Sequence, residues 1–361
     1  PPPQDPQEHP AMTVHPVPAL TPVPRTMAAL RIEAPDRVVP ARLPVPVPGP
    51  GEALIRTALV GLCGTDLELL RGTATYLRDG RAGYPLVPGH EWTGTVVTGG
   101  PEFAPGDRVV GRTMVHCGLC RSCRRGRREL CERLTEVGLY GRQGAAAEYL
   151  TMPQTALVRV PDEVGDRAAA LVEPAVTVVG ALERANCRLE DRVAVVGTGT
   201  IGLLAVQLAA RLAGSVDAVG IDPAGLALAL RFGARRAFAP AGAADREYSL
   251  VVEASGAAPA FRRALGLLAD GGRLAVIGVA GEPAEGFVPG ELALRGLSVT
   301  GVRHGVDHYD QTLELFRSGV LDAEPLIAAE LPPAEGPSAF DRLRRGRAGA
   351  PKILLDFGGT R

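Results

Sequence analysis

One glycine-rich turn constrains the fold of this 361-residue chain more than any other feature. The segment Val193-Ala-Val-Val-Gly197-Thr-Gly199-Thr-Ile-Gly202 places an apolar strand before the glycines and an apolar helix after them. Gly197 allows a tight turn, and Gly199 lets the backbone approach a pyrophosphate at the helix N-terminus. Gly202 lets the helix pack closely on the strand. The segment therefore predicts one strand–turn–helix unit of a dinucleotide-binding parallel sheet.

Continuous apolar strands alternate with helical stretches after this turn, which is typical of a doubly wound parallel sheet. The predicted strands are Val193–Val196, Ala218–Ile221, Leu250–Glu253, Leu274–Ile277 and Leu297–Thr300. Asp222 ends the second of them, 20 residues after Gly202. Its carboxylate can accept both ribose hydroxyls and would repel a 2′-phosphate, so NAD is expected rather than NADP. The predicted cofactor-binding residues are Gly197, Gly199, Thr200, Ile201, Gly202 and Asp222.

Four cysteines in one arginine-rich loop predict a closed metal site. Cys117, Cys120, Cys123 and Cys131 give the pattern Cys-x2-Cys-x2-Cys-x7-Cys. Four thiolates complete the tetrahedral shell of Zn²⁺, so this metal would stabilise the fold and do no chemistry. Cysteines at this spacing in a chain without a signal peptide favour metal binding over disulfides and indicate the reducing cytoplasm.

A second group of metal ligands has mixed chemistry. Cys63 lies in Gly61-Leu-Cys-Gly-Thr-Asp66, and His90 and Glu91 lie in Gly89-His-Glu91. A catalytic zinc needs few protein ligands and an open position, so Cys63, His90 and one acid, Glu91 or Glu173, are predicted to hold it.

Three residues that follow Cys63 are predicted to support this metal. Asp66 is suited to fix the tautomer of the His90 imidazole. Thr65 and Glu68 are three apart and share a face on a helical turn, which suggests a proton relay from a hydroxyl beside the metal to a carboxylate further out. The alternative for Glu68 is an exposed surface acid.

Composition and charge exclude several classes of protein. The net charge is −1, so no bulk field attracts nucleic acid or an acidic membrane. No run of roughly 18 apolar residues occurs, so no membrane span is predicted. Lys352 is the only lysine, and no lysine is expected in a catalytic role in the core.

The chain divides into four regions by pattern. Residues 1–26 hold nine prolines and are predicted to be a disordered extension. Residues 27–174 alternate short β-branched runs with Gly/Pro turns, which predicts a partly open barrel. Residues 175–308 carry the parallel sheet, and the tail 309–361 is too short to form a domain and should rejoin the first one. The remaining predicted elements are the strands Ala53–Val60, Thr93–Val97, Arg108–Val110, Ala146–Leu150 and Lys352–Asp356 and the helix Tyr309–Ser318.

Together these motifs resemble the zinc-dependent medium-chain alcohol dehydrogenase family over about residues 27–356. The resemblance rests on motifs that occur in the family's order: Gly61–Asp66, Gly89–Glu91, Cys117–Cys131, Glu173-Pro174 and Gly197–Gly202. It implies an α/β protein with a GroES-like β-rich catalytic domain and a Rossmann domain, two zinc ions per chain and an active site in the cleft between the domains. It also implies a homodimer or homotetramer.

Within that family the chain resembles the polyol, glucose and 2-deoxy-scyllo-inosamine dehydrogenases. Glu173-Pro174 stands where other alcohol dehydrogenases carry a cysteine ligand, and Glu68 stands where they place a relay histidine. Further segments resemble the aminocyclitol oxidases of antibiotic biosynthesis, namely Tyr84–Trp92, Val172–Pro174 and Glu253–Gly256.

The resemblance implies an NAD-dependent oxidation of a secondary alcohol of a polyol, sugar or aminocyclitol to a ketone. One alternative is the reduction of an activated C=C bond on the same fold, against which the intact Thr65 argues. A second alternative is a zinc-stabilised nucleic-acid-binding regulator that uses the arginine-rich loop. The near-neutral charge and the dinucleotide turn argue against it.

Overall fold

The computed structural model of the chain describes residues 22–279, 281–284, 286–345 and 349–358, so most of the extension predicted over 1–26 lies outside the described residues. The strands are β1 (Thr26–Ala34), β2 (Arg37–Pro44), β3 (Glu52–Leu62), β4 (Glu91–Thr98), β5 (Arg108–Gly111), β6 (Met114–Val115), β7 (Thr135–Val137), β8 (Gly141–Arg142), β9 (Tyr149–Pro153), β10 (Leu157–Arg159), β11 (Arg192–Val196), β12 (Ser215–Val219), β13 (Arg236–Phe238), β14 (Tyr248–Glu253), β15 (Leu268–Val276), β16 (Ser298–Gly301), β17 (Ile327–Leu331) and β18 (Lys352–Asp356). The α-helices are α1 (Gly64–Arg71), α2 (Thr75–Arg78), α3 (Arg121–Arg124), α4 (Asp166–Ala170), α5 (Val172–Arg184), α6 (Thr200–Leu212), α7 (Pro223–Arg231), α8 (Ala258–Leu267), α9 (Gly290–Leu294), α10 (Tyr309–Arg317) and α11 (Gly336–Arg344).

The first sheet contains strands from both ends of the chain. Its order is β10-β5-β4-β3-β18-β17, and β9 also pairs with β3. The last strand, β18, runs antiparallel to β3, with Ile353 opposite Leu62. The end of the chain therefore lies in the sheet built by its first half.

Two predicted strands are displaced. The strand expected over Ala218–Ile221 is β12, which begins at Ser215 and ends at Val219, and Ile221 is exposed beyond it. The strand expected over Ala146–Leu150 is β9, which begins at Tyr149. The backbone of Ala146 bonds elsewhere, because its N–H donates to the carbonyl of Pro88 at 3.0 Å and its carbonyl accepts from Leu30 N at 2.7 Å. The alanines before β9 are therefore buried against β1, where Ala147 forms an isolated bridge with Ala29, and they are not part of a strand of the first sheet.

The second sheet has the order β13-β12-β11-β14-β15-β16, and all of its recorded pairs are parallel. Its first strand in sequence, β11, lies in the middle, with β12 on one side and β14 on the other. Ligands bind such sheets outside the carboxyl ends of the strands at this switch point. The predicted doubly wound parallel sheet is confirmed.

A continuous apolar core joins the two sheets. One cluster of buried side chains extends from Leu59 and Val110 in the first sheet to Val195 and Val252 in the second, with much of α5 between them. The boundary predicted between residues 174 and 175 falls in the first turn of α5, which is a continuous helix. Both sheets are therefore held in one packed body, with a cleft where their loops meet. Within the described residues, no helix is long and apolar enough to cross a membrane.

Candidate metal centres and active site

The four predicted cysteines come together between β6 and β7. The Sγ atoms of Cys117, Cys120, Cys123 and Cys131 all lie within 4.8 Å of one another. Backbone amides face the sulfurs, with Cys120 N 3.4 Å from Cys117 Sγ and Cys117 N 3.3 Å from Cys131 Sγ. The amides of Leu119 and Cys120 lower the pKa of Cys117 to about 5. Because thiolates are the form that binds zinc, this donor set fits a structural Zn²⁺.

A second group brings Cys63, His90 and Glu91 together, with their ligand atoms within 4.8 Å of one another. Cys63 follows β3 directly and precedes α1, and Glu91 is the first residue of β4. The antiparallel pairing of β3 with β4 sets Gly61 opposite Glu91, which brings the two ligand segments side by side. One thiolate, one imidazole and one carboxylate fit an open zinc site.

Asp66 holds both ligand segments in place. Its Oδ2 accepts from Cys63 N at 2.9 Å, and its Oδ1 accepts from Gly89 N at 3.2 Å. The same Oδ1 lies 3.5 Å from Nδ1 of His90, an ion-pair distance rather than a well-formed hydrogen bond. Burial opposes the charge of His90, but Asp66 and Cys63 raise its pKa well above the usual range. A proton therefore competes with the metal for this histidine, and metal affinity should fall as the pH falls.

Thr65 and Glu68 lie together in α1, as the sequence predicted. Their spacing puts both side chains on one face of the helix. Glu68 is partly buried, and this burial raises its pKa although Arg78 and Arg71 act in the opposite direction. Because Glu68 is partly buried, it does not match the alternative prediction of an exposed surface acid.

Glu173 lies outside the Cys63–His90–Glu91 group. It is the second residue of α5, and its Oε1 is 3.2 Å from Nε2 of His304. Burial opposes its charge, but His304 and His90 lower its pKa below the usual range. Of the two acids that the sequence offered as third ligand, the structure groups Glu91 with Cys63 and His90.

The only lysine, for which the sequence predicted no catalytic role, lies beside the mixed metal group. Lys352, the first residue of β18, is 2% exposed. Its Nζ contacts Oε2 of Glu91 and donates to the carbonyl of Leu62 at 3.1 Å. The ammonium compensates a buried carboxylate that would otherwise be unpaired. The available signal was a single lysine in a chain that otherwise uses arginine.

Sequence reasoning also missed a polar cluster around Glu136. Glu136 is 2% exposed and accepts from Arg303 Nη2 at 2.6 Å and from the Tyr140 hydroxyl at 2.9 Å. The Tyr76 hydroxyl lies 3.4 Å from the same carboxylate. These residues come from β7, from the loop after it, from α2 and from the segment after β16, so no single sequence motif contains them.

The glycine turn forms the floor of a groove of about 800 Å³ that reaches the mixed metal group. Gly197 has a φ of 107°, a conformation that favours glycine. A side chain at Gly202 would collide with the carbonyl of Gly197. The groove is lined at one end by Cys63 and Glu91 and elsewhere by Gly197, Gly199, Thr200, Ile201 and Asp222.

Asp222 has a second role that the sequence analysis did not assign. It is the N-cap of α7, and its two carboxylate oxygens accept from Ala224 N at 3.2 Å and from Gly225 N at 3.1 Å. Each oxygen keeps a lone pair for a further donor. The cap therefore orients the carboxylate in the groove and leaves it able to accept ribose hydroxyls.

Comparisons with known proteins agree with this arrangement. The model for the alcohol dehydrogenase GroES-like domain matches residues 49–162, and the model for zinc-binding dehydrogenases matches residues 200–318. An L-threonine 3-dehydrogenase of Anaeromyxobacter sp. (strain Fw109-5) is 33% identical over 333 residues, which is 87% of this chain and 94% of that protein.

Two solved structures share the fold over most of the chain. A zinc-binding dehydrogenase from Sinorhizobium meliloti 1021, bound to NADP, has a TM-score of 0.84 and 28% identity, with 92% of this chain and 99% of that chain covered. Galactitol-1-phosphate dehydrogenase from Escherichia coli has a TM-score of 0.83 and 26% identity, with 91% and 100% covered.

Proposed function

Because the chain belongs to the zinc-dependent medium-chain alcohol dehydrogenase family, we propose that it oxidises a secondary alcohol to a ketone with NAD⁺ as the hydride acceptor. The membership confirms the predicted α/β fold and the predicted zinc and nicotinamide cofactors. One observation carries the proposal: Cys63 and Glu91 of the mixed metal group line the same groove as the glycine turn. A metal-held alcohol and a bound dinucleotide would thus meet in one cleft.

Cys63, His90 and Glu91 hold the catalytic zinc in this proposal, and Asp66 keeps their segments in register. The bound zinc supplies Lewis acidity that lowers the pKa of an alcohol in its open position, and bound NAD⁺ accepts the hydride. Lys352 holds Glu91 by one oxygen and thereby limits how that carboxylate can turn.

The proton of the alcohol leaves through Thr65 in this proposal. Its hydroxyl can accept a proton from the substrate and donate one outward, because a hydroxyl is both donor and acceptor. Glu68, on the same face of α1, receives the proton further out. Its raised pKa makes it a better proton acceptor than a carboxylate with an ordinary pKa.

Asp222 favours NAD over NADP in the proposal. Its carboxylate stays in the groove, and the neighbouring residues of α7, Pro223, Ala224 and Gly225, offer no positive charge to a 2′-phosphate. Arg263, the arginine that lines the groove, is already engaged with Asp245 and with the carbonyls of Pro240 and Ala243.

In this proposal the substrate carries several polar groups, as a polyol, sugar or aminocyclitol does. The two named relatives, whose substrates are threonine and galactitol 1-phosphate, are consistent with this class.

The test is NADH formation by the zinc-loaded protein with NAD⁺ and a panel of polyols, aldoses, aminocyclitols and simple secondary alcohols. We expect turnover with at least one polyhydroxylated or amino-substituted secondary alcohol and weaker turnover with simple alcohols. No NADH from any member of the panel, with NADPH-dependent reduction of an activated C=C bond instead, would contradict the proposal.

A further inference from the structure

Glu173 presents a problem for an open metal site. It is a carboxylate whose side chain is 11% exposed, and the sequence offers it as the alternative acid ligand of the same metal. A fourth protein ligand would close the zinc shell, as four cysteines do in the other lobe. Something must therefore hold this acid away from the metal if an alcohol is to bind there.

His304 is the side chain that engages Glu173. Its Nε2 lies 3.2 Å from Glu173 Oε1, and the imidazole is 6% exposed. The two residues come from different halves of the molecule, since Glu173 opens α5 and His304 follows the edge strand β16. Nδ1 of His304 is buried and has no hydrogen-bond partner among the described residues, so Glu173 is the polar contact that orients the ring.

The segment that carries His304 is fixed against α5. A side chain on Gly305 would collide with the carbonyl of Val176, and the Cα of Gly305 lies 3.1 Å from where a Cβ on Gly180 would be. Gly305 and Gly180 therefore permit this segment to approach α5 closely from Val176 to Gly180. The next part of the segment is anchored as well, because the Tyr309 hydroxyl accepts from Thr113 N at 3.2 Å.

We propose that His304 is a positioning residue that holds the Glu173 carboxylate off the catalytic metal and so keeps the fourth coordination position open for the alcohol oxygen. This inference rests on the proposed function, in which Cys63, His90 and Glu91 bind the zinc. His304 donates from Nε2 to Glu173, and the rigid contact of the segment after β16 with α5 keeps the donor in place. Without that donor, the buried carboxylate has the metal as its best partner.

The test compares His304→Phe, which keeps an aromatic ring next to Tyr309, with His304→Gln, which keeps a donor. Co²⁺ is exchanged into the Cys63–His90 centre, and its visible absorption spectrum reports the ligand set without any substrate. We expect a changed spectrum and slower extraction of the metal by a chelator in His304→Phe. We also expect the KM for the alcohol to rise about tenfold with a smaller change in kcat. His304→Gln should stay near the wild type on all three readouts.

His308→Leu is the matched control, since this histidine lies in the same segment but contacts Gln311 and Glu183 rather than Glu173. It should leave the spectrum and KM unchanged. In a Glu173→Gln background, His304→Phe should also have no further effect. Should His304→Phe not fold, His304→Asn, whose shorter side chain cannot reach Glu173, takes its place.

An unchanged cobalt spectrum in a folded His304→Phe protein would overturn the inference. Effects of equal size in the Glu173→Gln background would also overturn it. If His304→Phe changes the cobalt spectrum as expected but the wild-type protein oxidises no alcohol, the positioning role of His304 stands and the proposed function is contradicted.

Discussion

Thr65 is the residue on which proton release depends in the proposed reaction. Thr65→Val keeps the shape of the side chain but removes the hydroxyl, so the alcohol proton loses its exit. We expect turnover to fall by about two to four orders of magnitude. Steady-state kinetics measures this, with Thr155→Val as a control because Thr155 is exposed and far along the chain from the metal ligands. Activity that survives in Thr65→Val would contradict the relay.

Glu68 should affect the pH dependence of the reaction more than its maximal rate. Glu68→Gln is expected to cost less than Thr65→Val, because water can replace a group on the solvent side. In the wild type, the acid limb of the kcat profile should fall as the pH drops through the raised pKa of Glu68, since the protonated acid cannot accept the proton. That limb should be lost in Glu68→Gln. Superimposable pH profiles would show that Thr65 passes its proton directly to solvent.

Asp222 should set the choice between NAD and NADP. The wild type is expected to prefer NAD by at least about tenfold in kcat/KM. Asp222→Ser is the informative change, because serine also caps helices well and should preserve α7 while it removes the charge. The Asp222→Ser variant should show a smaller ratio of kcat/KM with NAD to kcat/KM with NADP. Equal efficiency of the wild type with both cofactors would contradict the assignment.

At the scale of single residues, the spacing of motifs in the sequence predicted some of the site residues and could not predict others. Cys63, His90 and Glu91 lie in short motifs next to strand ends, so the sequence could nominate them together. Lys352 and His304 act through contacts across 261 and 131 residues of chain, respectively. No local pattern carries such pairs, because the packing of the two sheets creates them.

The cysteine lobe is the element whose stability should depend on metal. Cys120→Ser removes one of four thiolates from a closed shell, so we expect the zinc content to fall from about two to about one per chain, with a clear loss of thermal stability. Metal analysis and thermal unfolding measure both. Ser122→Ala, an adjacent position outside the thiolate set, is the control. A Cys120→Ser protein that stays fully stable and zinc-loaded would contradict the structural role.

Two central strands of the second sheet could be predicted from composition alone. The apolar runs at β11 and β14 are buried on both faces, so composition alone locates them. The run before β9 is equally buried, but it contacts β1 only through an isolated bridge, in which Ala147 lies opposite Ala29, and through a bond from Leu30 N to the carbonyl of Ala146. Burial without alternation cannot distinguish these two cases.

For the whole molecule, the order of motifs predicted two sheets and a cleft, and the pairing of β18 with β3 shows how the tail rejoins the first sheet. The joint core around α5 was not predicted, because it depends on which faces of the sheets meet. That core fixes the distance between the metal group and the dinucleotide groove, on which hydride transfer depends.

The proposed division between an open catalytic zinc and a closed structural zinc is tested by a paired measurement of zinc content and NAD⁺-dependent alcohol oxidation in Cys63→Ser. We expect about one zinc retained per chain, an unchanged circular dichroism spectrum and no detectable oxidation, because only the open centre performs the chemistry. A Cys63→Ser protein that keeps about two zinc ions, or that oxidises the alcohol at the wild-type rate, would contradict it.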